Sequence, residues 1–379
     1  MFECEASAGS PQAARPILAR RSRGVLCPLT SLPGAHGIGD IGSSATGFLE
    51  FLERSGQSLW QVLPLGPPGA GESPYQALSA FAGYPLLLSL ERLAEDGWLE
   101  PAELLPSVDD VLPWYFKPNR IWKAFERFER TGEPGELDQF REAEAHWLDD
   151  WVTYAAIKDE QHGESWLSWP EDLRRRRPEA LRAARIRLAR QIRWHEFIQW
   201  QFRRQWLRLR AECRERGIAL IGDIPIFVAQ DSAEVWARRD LFLVDEEGRP
   251  TEVAGVPPDY FSKDGQLWGN PLYDWAKHEA TGFEWWAQRL RNAFANFDAV
   301  RLDHFIGFHR AWAVPSCEKT AVLGRWILAP GQALFACMER ELGPLPVIAE
   351  DLGFLIDEVR SLRDRFGFPG MKVLQFGFS

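Results

Sequence analysis

The sequence predicts an α/β fold of parallel βα units, and three observations carry that reading. Short apolar runs rich in β-formers recur between longer amphipathic stretches. Those runs are apolar along their whole length, as strands covered on both faces require. Several end in charged residues, which would converge on the mouth of a barrel. Either a doubly wound sheet or a (β/α)8 barrel satisfies these features.

The predicted strands cover residues 24–29, 58–65, 219–228, 299–305, 346–349 and 372–376. Helical patterns separate most of them, as at 44–55 after the first and 284–295 before the fourth. Two stretches break the rhythm. Residues 85–205 read as mostly helical and Trp-rich, too long for one crossover. Residues 229–283 are rich in turn formers, with EEGRP and GVPPDYFSKDGQ among them. Both are expected to be insertions at strand C-terminal ends, where site walls are built. Residues 1–21 read as a loose N-terminal tail.

Bulk properties exclude several classes. With 379 residues, 45% of them hydrophobic and 26% charged, the chain has the make-up of a soluble globular protein. A net charge of −10 argues against nucleic-acid binding, which would show as a basic excess. The arginine run at 174–177 reads as a solvated helix start. Five cysteines without CxxC or zinc-ligand spacing point to reduced thiols and a cytoplasmic location. The N-terminal stretch lacks the apolar segment of a signal peptide, and no apolar run approaches membrane-spanning length. The 18 Trp can build core or stack on flat ligand faces such as sugar rings.

The motif GIGDIG at 37–42 matches GxGxxG, but no acid follows the next strand where a ribose-binding residue would sit. It reads instead as a Gly-shaped loop beside a ligand. Seven histidines contain no HExxH pair, so no metal is expected. No nucleophile elbow is present either.

The acids are more informative. Asp223 closes IGD, Arg301 and Asp303 sit in VRLDH, and Glu350 closes VIAE, each at a strand end. Arg301 and Asp303 are two apart and so share one side of their strand. They form either an internal ion pair or a site, with the guanidinium expected to hold Asp303 ionised by lowering its pKa. Glu350, in an apolar setting, is expected to favour its neutral form. Carboxylates on neighbouring strand ends suit a retaining glycosidase better than an inverting one.

At these residues the chain resembles the 4-alpha-glucanotransferases of the amylomaltase family, relatives of the alpha-amylases. The likeness rests on RSRGVLCPLTSLPGAHGIGDIG, ESPYQALSAFAGYPLLLSLERL, GDIPIFVAQDSAEVWARRDLF, GVPPDYFSKDGQLWGNPLYDW, VRLDHFIGF, VIAEDLG and MKVLQFGF, spanning residues 22–379. It implies a (β/α)8 barrel, of which about six βα units are visible, and a retaining double displacement on α-1,4-glucans. Asp303 matches the nucleophile, Glu350 the general acid/base, and Arg301 the arginine supporting the nucleophile. Tyr75 matches a tyrosine that stacks near the scissile sugar, and Asp223 the acid of the IGD strand. Asp259, Tyr260, Phe261, Gln266 and Trp268 match a mobile loop over the glucan, and Ser73, Asn270 and His304 complete the implied substrate contacts. The partners implied are malto-oligosaccharides, with no cofactor, no nucleic acid and no membrane; oligomeric state stays open.

One departure stands out. The family's third carboxylate belongs to a His-Asp-Asn motif beyond the sixth strand, and no counterpart precedes Ser379. Asp351 should face away from Glu350, and Asp357, Glu358 and Asp364 fall on a helix-like stretch. The chain is therefore expected to be an incomplete barrel, read short or completed by another chain. A glucan-binding remnant without turnover and an α-glucan hydrolase stay open as alternatives.

Overall fold

The computed structural model describes residues 16–69, 71–105, 113–260, 262–353 and 356–378. Nine strands occur among them: β1 Gly24–Leu26, β2 Leu59–Gln61, β3 Ala219–Ile224, β4 Glu252–Val256, β5 Gln266–Pro271, β6 Ala299–Leu302, β7 Arg310–Pro315, β8 Arg325–Leu328 and β9 Val347–Ala349. Five of them form one all-parallel sheet in the order β1-β2-β3-β6-β9. Each neighbour is the next parallel strand in the chain, which is how a barrel wall is laid down.

The strands are shorter than their apolar runs, and proline explains much of this. Pro28, Pro64 and Pro225 follow β1, β2 and β3, and a proline cannot donate to the next ladder bond. The chain beyond each is thus freed to build loops at the C-terminal rim. The sixth expected strand, 372–376, is instead part of a 3-10 turn, Leu374–Phe378, whose Leu374, Phe376 and Phe378 are exposed. Among the described residues this part of the chain bonds to β9 only before this segment, through the Ala349 N–H to the Pro369 carbonyl, and one backbone bond does not hold a strand in register.

Between β2 and β3 the chain is helical, with Pro113–Thr131, Gly135–Glu160 and Ala189–Glu215 the longest pieces. The aromatic residues of the molecule mostly serve the core. Trp60, Trp166, Trp206, Trp236 and Trp286 are almost wholly buried, at about 1.5–3 kcal/mol or more per large apolar side chain. The stretch 229–283 is less loop-like than expected. It contributes β4 and β5 to an antiparallel sheet ordered β5-β4-β7-β8. Those strands pair β4 with β7 across more than fifty residues, a partnership that local pattern does not reveal.

The GIGDIG loop is structural. Asp40 within it is buried and takes a hydrogen bond at 2.7 Å from Lys117, which is itself 0% exposed. Lys117 also donates to the Leu86 carbonyl, and the Gly42 N–H donates to Asp40 Oδ1. His36, Asp40 and Glu91 bring ligand-type atoms within 4.8 Å of one another, but the Lys117 ammonium already supplies the cation to Asp40. Among the described residues no helix is long and apolar enough to cross a membrane.

Candidate active site

Register places the charges. Asp223 on β3 and Arg301 on β6 are direct Cα partners, and Leu302 on β6 pairs with Ala349 on β9. Asp303 and Glu350 therefore leave two adjacent strands at the same level. Backbone bonds then pin both. The Asp303 N–H donates to the Ile224 carbonyl, the Glu350 N–H to Leu302, and the Phe305 N–H to the Glu350 carbonyl, each at 3.0 Å. Val300 and Leu302, on the opposite side of β6, are buried and hold the strand's orientation. Gly222, beside Asp223, is required for packing: a Cβ there would meet the Phe297 ring at 2.4 Å.

Arg301 is the hub. Its Nη1 donates to Asp223 Oδ1 and its Nη2 to Asp303 Oδ1, both at 2.7 Å. Tyr75 Oη donates to Asp223 Oδ2 at 2.7 Å, so both Asp223 oxygens are engaged. No hydrogen bond to Asp303 Oδ2 is present among the described residues, and Asp303 lines a cleft at the strand ends. That cleft is walled by Ser73, Tyr75, Gln76, Trp268, Asn270 and residues 225–227. Arg289, buried between Trp285 and Trp286, donates to the Pro225 and Ile226 carbonyls and fixes that last wall.

Glu350 is held from the other side. Its Oε2 accepts from the His304 N–H at 2.8 Å and its Oε1 from the Leu352 N–H at 3.1 Å. His304 adopts φ 50°, ψ 54°, a left-handed conformation costly for a residue with a β-carbon, and this aims its amide at Glu350. The His304 ring meets Trp268 edge-on at 4.6 Å.

Burial dominates the electrostatics. It raises Asp223 to about 6, with Arg301 and the Tyr75 hydrogen bond pulling the other way. The expectation that Arg301 leaves Asp303 below its usual range is corrected. Arg301 does pull downward, but loss of hydration outweighs it and the carboxyl sits above the ordinary aspartate value. Glu350 is also raised, first by burial and then by the Asp303 charge, against Arg301 and the two N–H donors. That agrees with the neutral acid expected from its setting. Burial lowers His304 to about 4, so the ring is neutral near pH 7.

The remaining expected residues divide. Ser73 accepts from the Tyr75 N–H and lines the cleft, as does Asn270, which is anchored to the Val228 carbonyl. Asp259 and Gln266 do not reach the cleft. Asp259 caps its own loop through the Ser262 N–H, Gln266 accepts from Trp268 Nε1, and both are exposed. Tyr260 is 97% exposed, whereas Trp268 lines the cleft. Phe261 lies outside the described residues. Asp351 does face away from Glu350: its carboxylate is taken by Arg363 and by the Met371 N–H. Sequence reasoning missed Gln76 and the 225–227 wall. Gln76 directly follows Tyr75 in SPYQ, and its neighbour's role was the only available signal.

A parallel barrel-type sheet that carries two carboxylates on adjacent strand ends, one braced by arginine, has the paired-acid arrangement of enzymes that cleave glycosidic bonds. Residues 27–379 match the family described as 4-alpha-glucanotransferase, and the chain belongs to that family. It is 50% identical over 364 residues to the 4-alpha-glucanotransferase of Thermus thermophilus, covering 94% of this chain and 73% of the relative. It is 44% identical over 369 residues to that of Streptococcus pneumoniae, covering 95% and 73%. Among solved structures, amylomaltase from Streptococcus agalactiae in complex with acarbose superposes with a TM-score of 0.90 at 38% identity, covering 95% of this chain and 74% of that one. Amylomaltase from Corynebacterium glutamicum shares the fold at a TM-score of 0.77, with 20% identity over 96% of this chain and 52% of that one.

Proposed function

We propose that this enzyme transfers α-1,4-glucan segments from one malto-oligosaccharide to another by double displacement, with Asp303 as nucleophile and Glu350 as general acid/base. Asp303 Oδ2 attacks the anomeric carbon, the glycosidic C–O bond breaks, and Glu350 gives its proton to the leaving oxygen. The 4-hydroxyl of an acceptor sugar then returns a proton to Glu350. Its oxygen bonds to the anomeric carbon as the bond to Asp303 breaks. Arg301 fixes Asp303 Oδ1 and leaves Oδ2 for attack, while burial, which raises Glu350 above the ordinary glutamate value, favours the protonated form that a general acid needs. Asp223, Tyr75, Ser73, Trp268, Asn270 and His304 are proposed to hold the sugar at the cleavage point, with Asp259 and Gln266 reaching it on closure of their loop and Phe261 proposed as a further contact.

The observation that supports this reading best is the bridge from Asp223 through Arg301 to Asp303, open on a cleft and next to Glu350 on the adjoining strand. Incubation with maltotriose should release glucose together with longer maltodextrins. Products limited to glucose and maltose would instead make it a hydrolase. Asp303→Asn should lower the rate at least ~10³-fold with the fold intact, since single losses of a nucleophile reach such factors. A fully active variant would remove Asp303 from the mechanism.

A further inference from the structure

Two side-chain amides close one wall of the cleft by pairing with each other. Gln76 Nε2 donates to Asn270 Oδ1 at 2.9 Å and to the Trp268 carbonyl at 3.1 Å. Asn270 Nδ2 donates back to Gln76 Oε1 at 3.3 Å and to the Val228 carbonyl at 2.8 Å. Three segments distant in sequence are thereby joined: the 73–76 loop, strand β5, and the chain after β3.

The consequence lies in what each segment carries. Tyr75 and Gln76 are consecutive but reach opposite walls, Tyr75 to Asp223 and Gln76 to β5. On β5, Trp268 packs on His304, whose N–H holds Glu350. Yet β5 is poorly held by its own sheet. Among the described residues it is an edge strand paired in its sheet with β4 alone, its ladder shifts register between Val253 and Gly255, and Gln266, Leu267 and Gly269 are exposed. Edge strands with broken ladders open at low free energy. The Gln76 amide, together with the Asn270 bond to the Val228 carbonyl, ties this strand back to the chain beyond β3 and to the loop that carries Tyr75.

We infer that Gln76 is a positioning and specificity-determining residue: it latches β5 against the His304–Glu350 side of the cleft and so favours a sugar over water as acceptor. This rests on the proposed glucan transfer. Water and a sugar hydroxyl resolve the glucosyl-enzyme by the same step, each losing a proton to Glu350 as its oxygen replaces Asp303 at the anomeric carbon. The choice between them is therefore one of access. A sugar brings binding energy of its own, whereas water needs only an opening, so a loosened wall favours water.

The test uses the full-length protein and its Gln76→Leu and Gln76→Glu variants with maltotriose. Leu keeps the side chain's approximate bulk and removes every hydrogen bond; Glu keeps the shape but sets its oxygens against the Asn270 and Trp268 oxygens. New reducing ends are counted beside longer maltodextrins, because transfer conserves reducing ends and hydrolysis creates one per bond. Both variants should raise the ratio of hydrolysis to transfer about tenfold, the factor given by losing a net hydrogen bond or two. Total donor cleavage is measured alongside, so that the ratio is read independently of any loss in overall rate. The swap Gln76→Asn with Asn270→Gln keeps an amide pair and should recover part of the parent ratio. An unchanged ratio with a lowered melting temperature overturns the latch and leaves a structural role. A raised KM at an unchanged ratio overturns it as well, making Gln76 a direct sugar contact. A parent that makes no longer maltodextrins overturns the glucan-transfer reading itself, whereas a transferring parent with unchanged variants overturns only the latch.

Discussion

Two charge clusters in this molecule contain almost the same chemistry. At the GIGDIG loop, Asp40 meets Lys117 at 2.7 Å with side chains 5% and 0% exposed. At the strand ends, Arg301 meets Asp223 and Asp303 at the same 2.7 Å. In both, burial pushes the carboxyls above their ordinary value against a neighbouring cation. A perturbed carboxyl therefore does not by itself mark a site. What separates the clusters is saturation. Asp40 has each oxygen engaged, by Lys117 and by the Gly42 N–H, and Lys117 reaches the Leu86 carbonyl as well. Asp303 is 27% exposed on a cleft and keeps an oxygen in reserve. The first cluster joins a loop to a helix, and the second leaves a carboxylate oxygen open to a cleft.

Substitutions should pull the two apart. The largest effect is expected at Glu350→Gln, which should cut transfer by ~10²–10⁴-fold, the usual weight of a general acid/base. A donor whose leaving group needs no proton should regain most of its cleavage; failure to regain it would move the acid role elsewhere. Next comes Lys117→Met, which should cost about 3–5 kcal/mol of stability by leaving Asp40 buried without its cation. Denaturant unfolding measures that loss, and the activity of the protein still folded should match the parent. Lys117→Met combined with Asp40→Leu should recover much of it. Lost activity in the folded fraction would show that the loop cluster does belong to the site.

Arg301→Gln should act through pH. The Arg301 charge lowers both Asp303 and Glu350, so without it both titrate higher. The proposed roles require Asp303 ionised and Glu350 protonated. The acid limb of kcat/KM and its alkaline limb should therefore both move to higher pH, as properties of the coupled pair. Limbs that stay in place would mean another group sets them. The smallest effect is expected at Asp259→Ala, an exposed loop position, where melting should report about 0.5–1.5 kcal/mol for the lost bond from the Ser262 N–H. Any large loss of activity there would show that the loop closes on the sugar during turnover.

Much of this was legible in the sequence because the relevant period is short. Arg301 and Asp303 had to share a strand side whatever the fold, and the apolar runs at β3, β6 and β9 announced themselves. Same-strand geometry is local, and a two-residue period needs no partner to be read. The β5-β4-β7-β8 sheet was not legible, since its strands become strands only by pairing with segments far along the chain. Nor was the sixth strand excluded: 372–376 has a strand's composition, but here it forms a turn beside β9.

The sequence by itself determined which side chains could do the chemistry: an arginine and an aspartate two apart, and a glutamate ending an apolar run. Tertiary structure decided how those groups are charged and which oxygen is free. The Arg301 guanidinium lowers Asp303, but whether it prevails depends on how much water the carboxyl has lost, and that is a property of packing. Likewise, only the folded chain shows the His304 amide turned toward Glu350, or Gln76 set against β5. Hydrogen bonds and hydration belong to neighbours in space, and a linear pattern records only neighbours along the chain.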